Sequence, residues 1–378
     1  MDIGYICQPL STAAASHRTD KNRKRKRARR TPEAEAGPIE TPFLEQAEER
    51  LSVMAAPSLS ALPDSLLLQI LACLPPRDRV GGARVCRRWR RLVSDKWLWR
   101  HLDLTSYKLS SKVLWYLLRN HLRGTVQTLK ARGSLHSIRK QEVFTPALMQ
   151  ALDKQCPHLH SLCLTETDLR SLSYYCLPSS LMTLELNCCE IPSVWFHVPI
   201  LSQGCSPFPK IQHLIIRNVP AFSNQHLVNI ARQGTLKTLV LSETYRVTDM
   251  GIQTAAPHLG DLTHLVLRQC CIGDSAMHFI GRHMKCLSCL DLGGSSSLTD
   301  VGLPCLASLP VLESLCLESC GRLSPEAILA LGQVLPQLKH LDLSRTGFDN
   351  GMIHKIQASL PSCVVASTTS SANSSVGS

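Results

Sequence analysis

The sequence predicts an α/β protein: a small three-helix unit, then a curved solenoid with a parallel sheet along its concave side and helices or loops along its convex side. Two observations carry this. The signature Leu-x-x-Leu-x-Leu, or a near copy, begins at Leu159, Leu181, Ile211, Leu236, Leu262, Leu287, Leu312 and Leu338, with gaps of 22, 30, 25, 26, 25, 25 and 26 residues. A period in the twenties with this internal spacing marks leucine-rich repeats. One repeat cannot bury its apolar face alone, so neighbours must stack. Ahead of the repeats, residues 62–104 hold short apolar runs at helical spacing, broken by prolines.

Composition narrows the function. A chain of 378 residues holds more than one structural unit, and its 44% hydrophobic content is ordinary for a soluble protein. It contains no apolar run of 18 residues, so no membrane partner is expected. The N-terminus lacks the pattern of a secretory signal. The 17 cysteines are scattered through a long chain, which fits reduced thiols in the nucleus or cytoplasm better than a disulfide scaffold. The net charge of +12 has several sources. The first 53 residues hold ten Lys/Arg and eight Asp/Glu, and residues 62–104 nine against four. That is not the chain-wide field of a nucleic-acid binder.

Taken in order, residues 1–56 have few large apolar residues and several prolines, and are expected to be a disordered basic and polar extension. Within them Lys21, Arg23, Lys24, Arg25, Lys26, Arg27, Arg29 and Arg30 form a candidate nuclear-localisation signal; the alternative is a solvated charge run. Residues 57–104 form the helical unit. Leu66, Leu67, Ile70, Leu71 and Leu74 space a first helix after Pro63, and Pro75 and Pro76 stop it. A second helix is expected over 77–84 and a third over 85–93. Three helices in so short a stretch sit at the lower size limit for an independent core, so the unit should lean on a partner. Residues 105–125 supply a linking helix that caps the solenoid, with Val126 to Ala131 as a degenerate opening strand. The solenoid runs over 126–362, and 363–378 is a disordered Ser/Thr-rich tail.

The helical unit resembles an F-box, through Leu62-Pro63, Ile70 followed by Leu74, Arg77-Asp78, Val85-Cys86 with Arg88-Trp89, and Trp97-Leu98-Trp99. An F-box joined to leucine-rich repeats defines the F-box/leucine-rich-repeat family, which the chain resembles over about residues 60–362. That resemblance implies a non-catalytic substrate receptor of a Skp/cullin/F-box ubiquitin ligase. A Skp-type adaptor, and through it a cullin and a RING subunit, would join the chain to ligase chemistry, while the repeats hold a protein target for ubiquitination and proteasomal degradation. The implied adaptor contact is formed or supported by Leu62, Pro63, Leu66, Ile70, Leu74, Pro75, Val85, Cys86 and Trp89. Leu71, Val85 and Trp89 are expected inside the F-box core.

Strand side chains alternate, so Leu at signature positions four and six point inward and positions three, five and seven face outward. Stacked, position five places Ile215, Val240 and Val266 in an apolar strip, flanked by His213 and His264 and rimmed by Arg217 and Arg268. This patch is the expected centre of target docking, suited to an acidic or phosphorylated segment. The recurring Thr-Asp-x-Gly phrase (248–251, 299–302) is expected to cap the helix that follows it. Cys189, Cys271 and Cys320 should fill turns as small buried thiols. The 30-residue repeat 181–210 is expected to return through an irregular loop.

Walker, Rossmann, zinc-protease and nucleophile-elbow motifs are absent. No cofactor is expected, and Cys286-x-x-Cys289 is one pair where a structural zinc needs four ligands. Two other readings stand beside the receptor: a non-degradative repeat scaffold, and a nuclear nucleic-acid binder using the basic run. The last is disfavoured because that run has no aromatic residues interleaved.

Overall fold

The computed structural model describes residues 59–135, 142–197 and 208–367. The expected disorder of 1–56, the basic run and the end of the tail lie outside these residues. Residues up to Ala61 form a unit of their own, described only as the turn Leu59–Ala61.

From Leu62 onward the chain opens with α1 (Asp64–Cys73), α2 (Pro76–Gly82) and α3 (Arg87–Val93). The prolines do more than stop α1: Pro76 occupies the first turn of α2, where its missing N–H costs nothing. Cys86 N-caps α3, its sulfur accepting from Trp89 N. Leu67 and Leu71 of α1 pack with Leu92, Val93, Leu98 and Trp99. Arg79 ties the unit together: its Nε, Nη2 and Nη1 each donate, at 2.7 Å, to the carbonyls of Leu74, Ala72 and Leu98. Two of these carbonyls are the ones α1 leaves open at its C-terminus.

One parallel sheet follows, with strands in strict chain order. They are β1 (His101–Leu104), β2 (Thr128–Arg132), β3 (Ser161–Thr165), β4 (Thr183–Asn187), β5 (His213–Arg217), β6 (Thr238–Ser242), β7 (His264–Arg268), β8 (Cys289–Asp291), β9 (Ser314–Cys316), β10 (His340–Asp342) and β11 (Val364–Ala366). One strand per repeat, each paired with the next, is the arrangement of a solenoid. The leucines and isoleucines at signature positions four and six are all buried behind the sheet. Each typically contributes about 1.5–3 kcal/mol by leaving water. The residue after position seven takes a positive φ in repeat after repeat, among them Asn218, Glu243 and Gln269. That turn keeps the ladder going: Asn218 N donates to Ser242 O at 2.9 Å and Glu243 N to Arg268 O at 3.0 Å.

The sheet overruns the predicted solenoid at both ends. His101–Leu104, read as the end of the helical unit, is β1, with Leu102 and Leu104 buried and His101 in register with Thr128. Val364–Ala366, read as tail, is β11, paired with β10. The opening strand expected over 126–131 is β2. The linking helix is α4 (Ser111–Leu117), continued by a π turn over Leu118–Leu122. Described return segments carry α5 (Pro146–Gln155), α6 (Asn224–Ala231), α7 (Asp249–Ala255), α8 (Asp274–His283), α9 (Pro325–Val334) and α10 (Asn350–Ser359). No described helix is long and apolar enough to cross a membrane.

The Thr-Asp-x-Gly phrase works differently from its expected role. The side chain at the phrase's second position, which opens the helix in three of four cases and lies in the turn ahead of it at Asp300, caps the next repeat. Asn224 Oδ1 accepts from Thr248 N (2.9 Å), Asp249 Oδ1 from Gly273 N (2.8 Å), Asp274 Oδ1 from Thr299 N (2.9 Å) and Asp300 Oδ1 from Ser324 N (2.8 Å). The long repeat contributes buried Trp195 and Phe196, which pack against Tyr174 of the repeat before and, through Phe196, Phe222 of the repeat after; the Tyr174 and Phe196 centroids are 5.2 Å apart. The middle of its return segment, 198–207, lies outside the described residues.

Candidate functional site

Two faces present side chains that the core does not use. The first is on the three-helix unit. Leu66 and Ile70, one turn apart on α1, are 42% and 40% exposed beside the fully buried Leu67 and Leu71. Pro63, Pro75 and Cys86 are also exposed, and Leu62 and Leu74 half-buried. Val85 corrects its expected place in the core. It sits in the turn between α2 and α3, its N bonded to Gly82 O at 3.1 Å, and its side chain is 66% exposed. Trp89 is half-buried, its ring against Gly82 and Leu71 of the unit's core. Trp97, 46% exposed, joins the exposed apolar set that the spacing argument left out. The pattern Trp97-Leu98-Trp99 is the signal that contained it. Asp64 is held by Arg88 (2.7 Å) and Arg91, and Arg88 above all lowers its carboxyl pKa.

The second face is the open side of the sheet. Register puts Ile215, Val240 and Val266 opposite one another on β5, β6 and β7. They form an apolar floor: Val240, between the other two, is only 4% exposed, and Ile215 and Val266 are half-buried. Strands about 4.8 Å apart leave the middle side chain little open surface. His213 and His264 lie at the same edge of their strands, His213 Nδ1 meeting Thr238 Oγ1 at 3.0 Å and His264 Nδ1 meeting Thr263 Oγ1 at 2.9 Å. Burial, with His264 and Lys237 nearby, holds the His213 pKa below the ordinary histidine value.

The expected basic rim is corrected most. Both arginines already hold acidic partners, Arg217 through Nη1 and Arg268 through Nε and Nη1. Arg217 Nη1 is paired with Glu185 on the neighbouring strand. Arg268 donates from Nε to Asp291 (2.6 Å), from Nη1 to Glu318 (2.8 Å) and from Nη2 to Cys316 Sγ (3.3 Å). It reaches a residue two strands away because Gly293 stands between; a Cβ there would lie 3.2 Å from Arg268 Cζ. These pairs are not visible in the sequence because Glu185, Asp291 and Glu318 are far from the arginines along the chain and become neighbours only through the ladder.

Cys316, Glu318 and Asp342 bring potential metal-ligand atoms within 4.8 Å of one another. The cation seated against two of them is the Arg268 guanidinium. Burial pushes the Cys316 thiol pKa far up, so the sulfur is a poor thiolate ligand.

A three-helix unit with an exposed apolar face, fused to a parallel repeat sheet whose open side carries a polar-framed apolar floor, has the architecture of an F-box protein with leucine-rich repeats. Residues 59–105 match the F-box-like family model. The chain is 39% identical over 316 residues to F-box/LRR-repeat protein 12 of Homo sapiens, covering 82% of this chain and 95% of that protein. It is 38% identical over 318 residues to the Mus musculus protein of the same name, with 82% and 95% covered. The chain belongs to the F-box/LRR-repeat family. Among solved structures it resembles the crystal structure of the Rad7 and Elc1 complex in yeast, with 16% identity, a TM-score of 0.36 and coverage of 89% of this chain and 97% of that one. Family membership implies a substrate-receptor role in a Skp/cullin/F-box type ubiquitin ligase, a role that is not catalytic.

Proposed function

We propose that this chain is the substrate-recognition subunit of a Skp/cullin/F-box ubiquitin ligase. In this reading the three-helix unit docks a Skp-type adaptor, which brings the cullin and RING subunit, and the sheet selects a protein for ubiquitination and degradation. The observation that supports it most is Leu66, Ile70 and Val85 left in water by a unit with apolar residues to spare. A helix presenting apolar side chains at i and i+4 is a ridge suited to a partner's groove. Leu62, Pro63, Leu74, Pro75, Cys86 and Trp89 form or support the same contact. On the sheet, the target meets the floor of Ile215, Val240 and Val266, beside His213 and His264. The paired Arg217 and Arg268 frame that floor; an acidic or phosphorylated target would have to displace Glu185, Asp291 or Glu318. Catalysis comes from tethering, which raises the effective concentration of target lysines at the transfer site. The basic run at 21–30 makes the nucleus, along with the cytoplasm, the proposed location.

Co-purification tests the adaptor step. Leu66→Asp with Ile70→Asp places two carboxylates on an exposed ridge, so the variant should fold normally and lose at least about tenfold in adaptor binding. Undiminished adaptor binding by that variant would reject the proposal.

A further inference from the structure

α4 and its π turn bury Leu114, Leu117, Leu118 and Leu122 in the core. The opposite side stays open. Lys112, Tyr116, Arg119 and Asn120 are exposed and Trp115 is half-buried, and these five line a hollow of about 460 Å³. The hollow is shallow and open to solvent, lined by α4 and its π turn alone, so it offers a face for a partner segment rather than an enclosing pocket. π turns inside helices often mark functional positions.

The charge of this side is of one sign. Residues 105–124 contain Lys108, Lys112, Arg119 and Arg123 and no Asp or Glu. Among the described residues, neither Lys112 nor Arg119 has an acidic partner, in contrast to Arg217 and Arg268 on the sheet. Arg119 lies 5.7 Å over the Trp115 ring. A cation–π contact of this kind fixes the guanidinium at the hollow while using none of its N–H donors. Asn120 Nδ2 donates to Tyr116 O at 2.8 Å, so the polar donors left open here are mainly cationic.

We infer that this hollow binds an acidic segment of a partner protein, with an apolar side chain against Tyr116 and Trp115 and carboxylates on Lys112 and Arg119. The two cations are seven residues apart, about 10 Å along a helix. In an extended chain residues i, i+2 and i+4 share one face, and i and i+4 lie about 13 Å apart, within reach of the flexible Lys112 and Arg119 side chains. The matching segment therefore reads acidic-x-apolar-x-acidic, with the apolar residue on the same face between the two acids. A single-stranded nucleic acid is the poorer fit, because it stacks bases on open aromatic faces and Arg119 already covers Trp115. The hollow shares no residue with the proposed adaptor face or the target face, so it stands or falls apart from them.

The test is an array of twelve-residue peptides in a neutral Ser/Gly background, presenting every spacing of two glutamates around one leucine or phenylalanine, probed with the full chain. Peptides with glutamates four residues apart and the apolar residue midway should be retained, more strongly at low salt. Lys112→Glu with Arg119→Glu should weaken retention by about tenfold or more, and Tyr116→Ala should erase the preference for an apolar centre. All three positions face solvent enough that the melting temperature should not change. The inference is overturned if no acidic peptide is retained, if the charge reversals leave retention unchanged, or if a polyuridine oligonucleotide displaces the peptides.

Discussion

Cys189, Cys270 and Cys320 occupy the same place in three repeats, and each thiol donates to the last inward leucine's carbonyl one repeat back: Leu164 at 3.3 Å, Leu241 at 3.7 Å and Leu292 at 3.4 Å. The buried cysteine of the middle repeat is Cys270; Cys271, the residue its sequence pattern suggested, is exposed. Pattern alone could not separate two adjacent cysteines. Ser295 holds the equivalent place in the repeat between, and its buried hydroxyl has no hydrogen-bond partner among the described residues. A thiol is larger and costs less to leave dry, so Ser295→Cys should raise stability by about 1 kcal/mol in denaturant unfolding. Unchanged or lower stability would contradict the ladder argument. Histidines act at the same scale. Burial holds His121, His213 and His226 below the ordinary histidine pKa, with His264 and Lys237 also lowering His213 and the Pro192 carbonyl partly opposing the shift at His226. In His226 the reason is visible: Nδ1 accepts from Ser223 N at 3.2 Å while Nε2 bonds Pro192 O at 2.8 Å, so a second proton would break the cap of α6. As pH falls through about 6.5 the unfolded chain protonates these groups before the folded one does. Melting temperature should therefore fall between about pH 7 and 5, and a flat profile would contradict this assignment.

At the scale of the element, the repeats are joined by more than their strands. The Asn224, Asp249, Asp274 and Asp300 side chains each satisfy an amide of the next repeat, so each of these return segments is tied to its successor. This explains the glycine of the phrase: a Cβ on Gly251 would collide with Asn224 Oδ1. Gly251→Ala should cost about 1–3 kcal/mol, although alanine is the better helix former. Asp274→Ala, which strands both Thr299 N and its hydroxyl, should cost about as much. Equilibrium denaturation of the two variants checks both; a stabilised Gly251→Ala would show that the contact is not needed. The phrase itself was legible in the sequence and its mechanism was not, because the partner amide is a full repeat away. Strand positions were legible for the opposite reason: inward leucines repeat at a fixed local spacing. β1 was missed because His-Leu-Asp-Leu is too short for a period to show, and only pairing with β2 makes it a strand.

For the whole molecule, the order of modules and the buried leucine columns could be read from the chain, since both follow from period and texture. The state of the sheet's charges could not. Arg217 and Arg268 looked like free donors until the register set Glu185, Asp291 and Glu318 beside them. Val85 looked internal until the turn before α3 pointed it outward. What the folded chain presents is therefore an exposed helical ridge on the three-helix unit and an apolar floor on the sheet. Under the proposed function these two surfaces bind different partners independently. The most direct measurement compares two variants of the full chain in the same cells, Leu66→Asp with Ile70→Asp and Val240→Asp with Val266→Asp, by quantitative proteomics of what each retains. The first should lose the Skp-type adaptor and cullin while keeping a set of target proteins, and the second should keep the adaptor and lose those targets. Loss of both classes by either variant, with melting temperatures unchanged, or of neither class by both, would contradict the account.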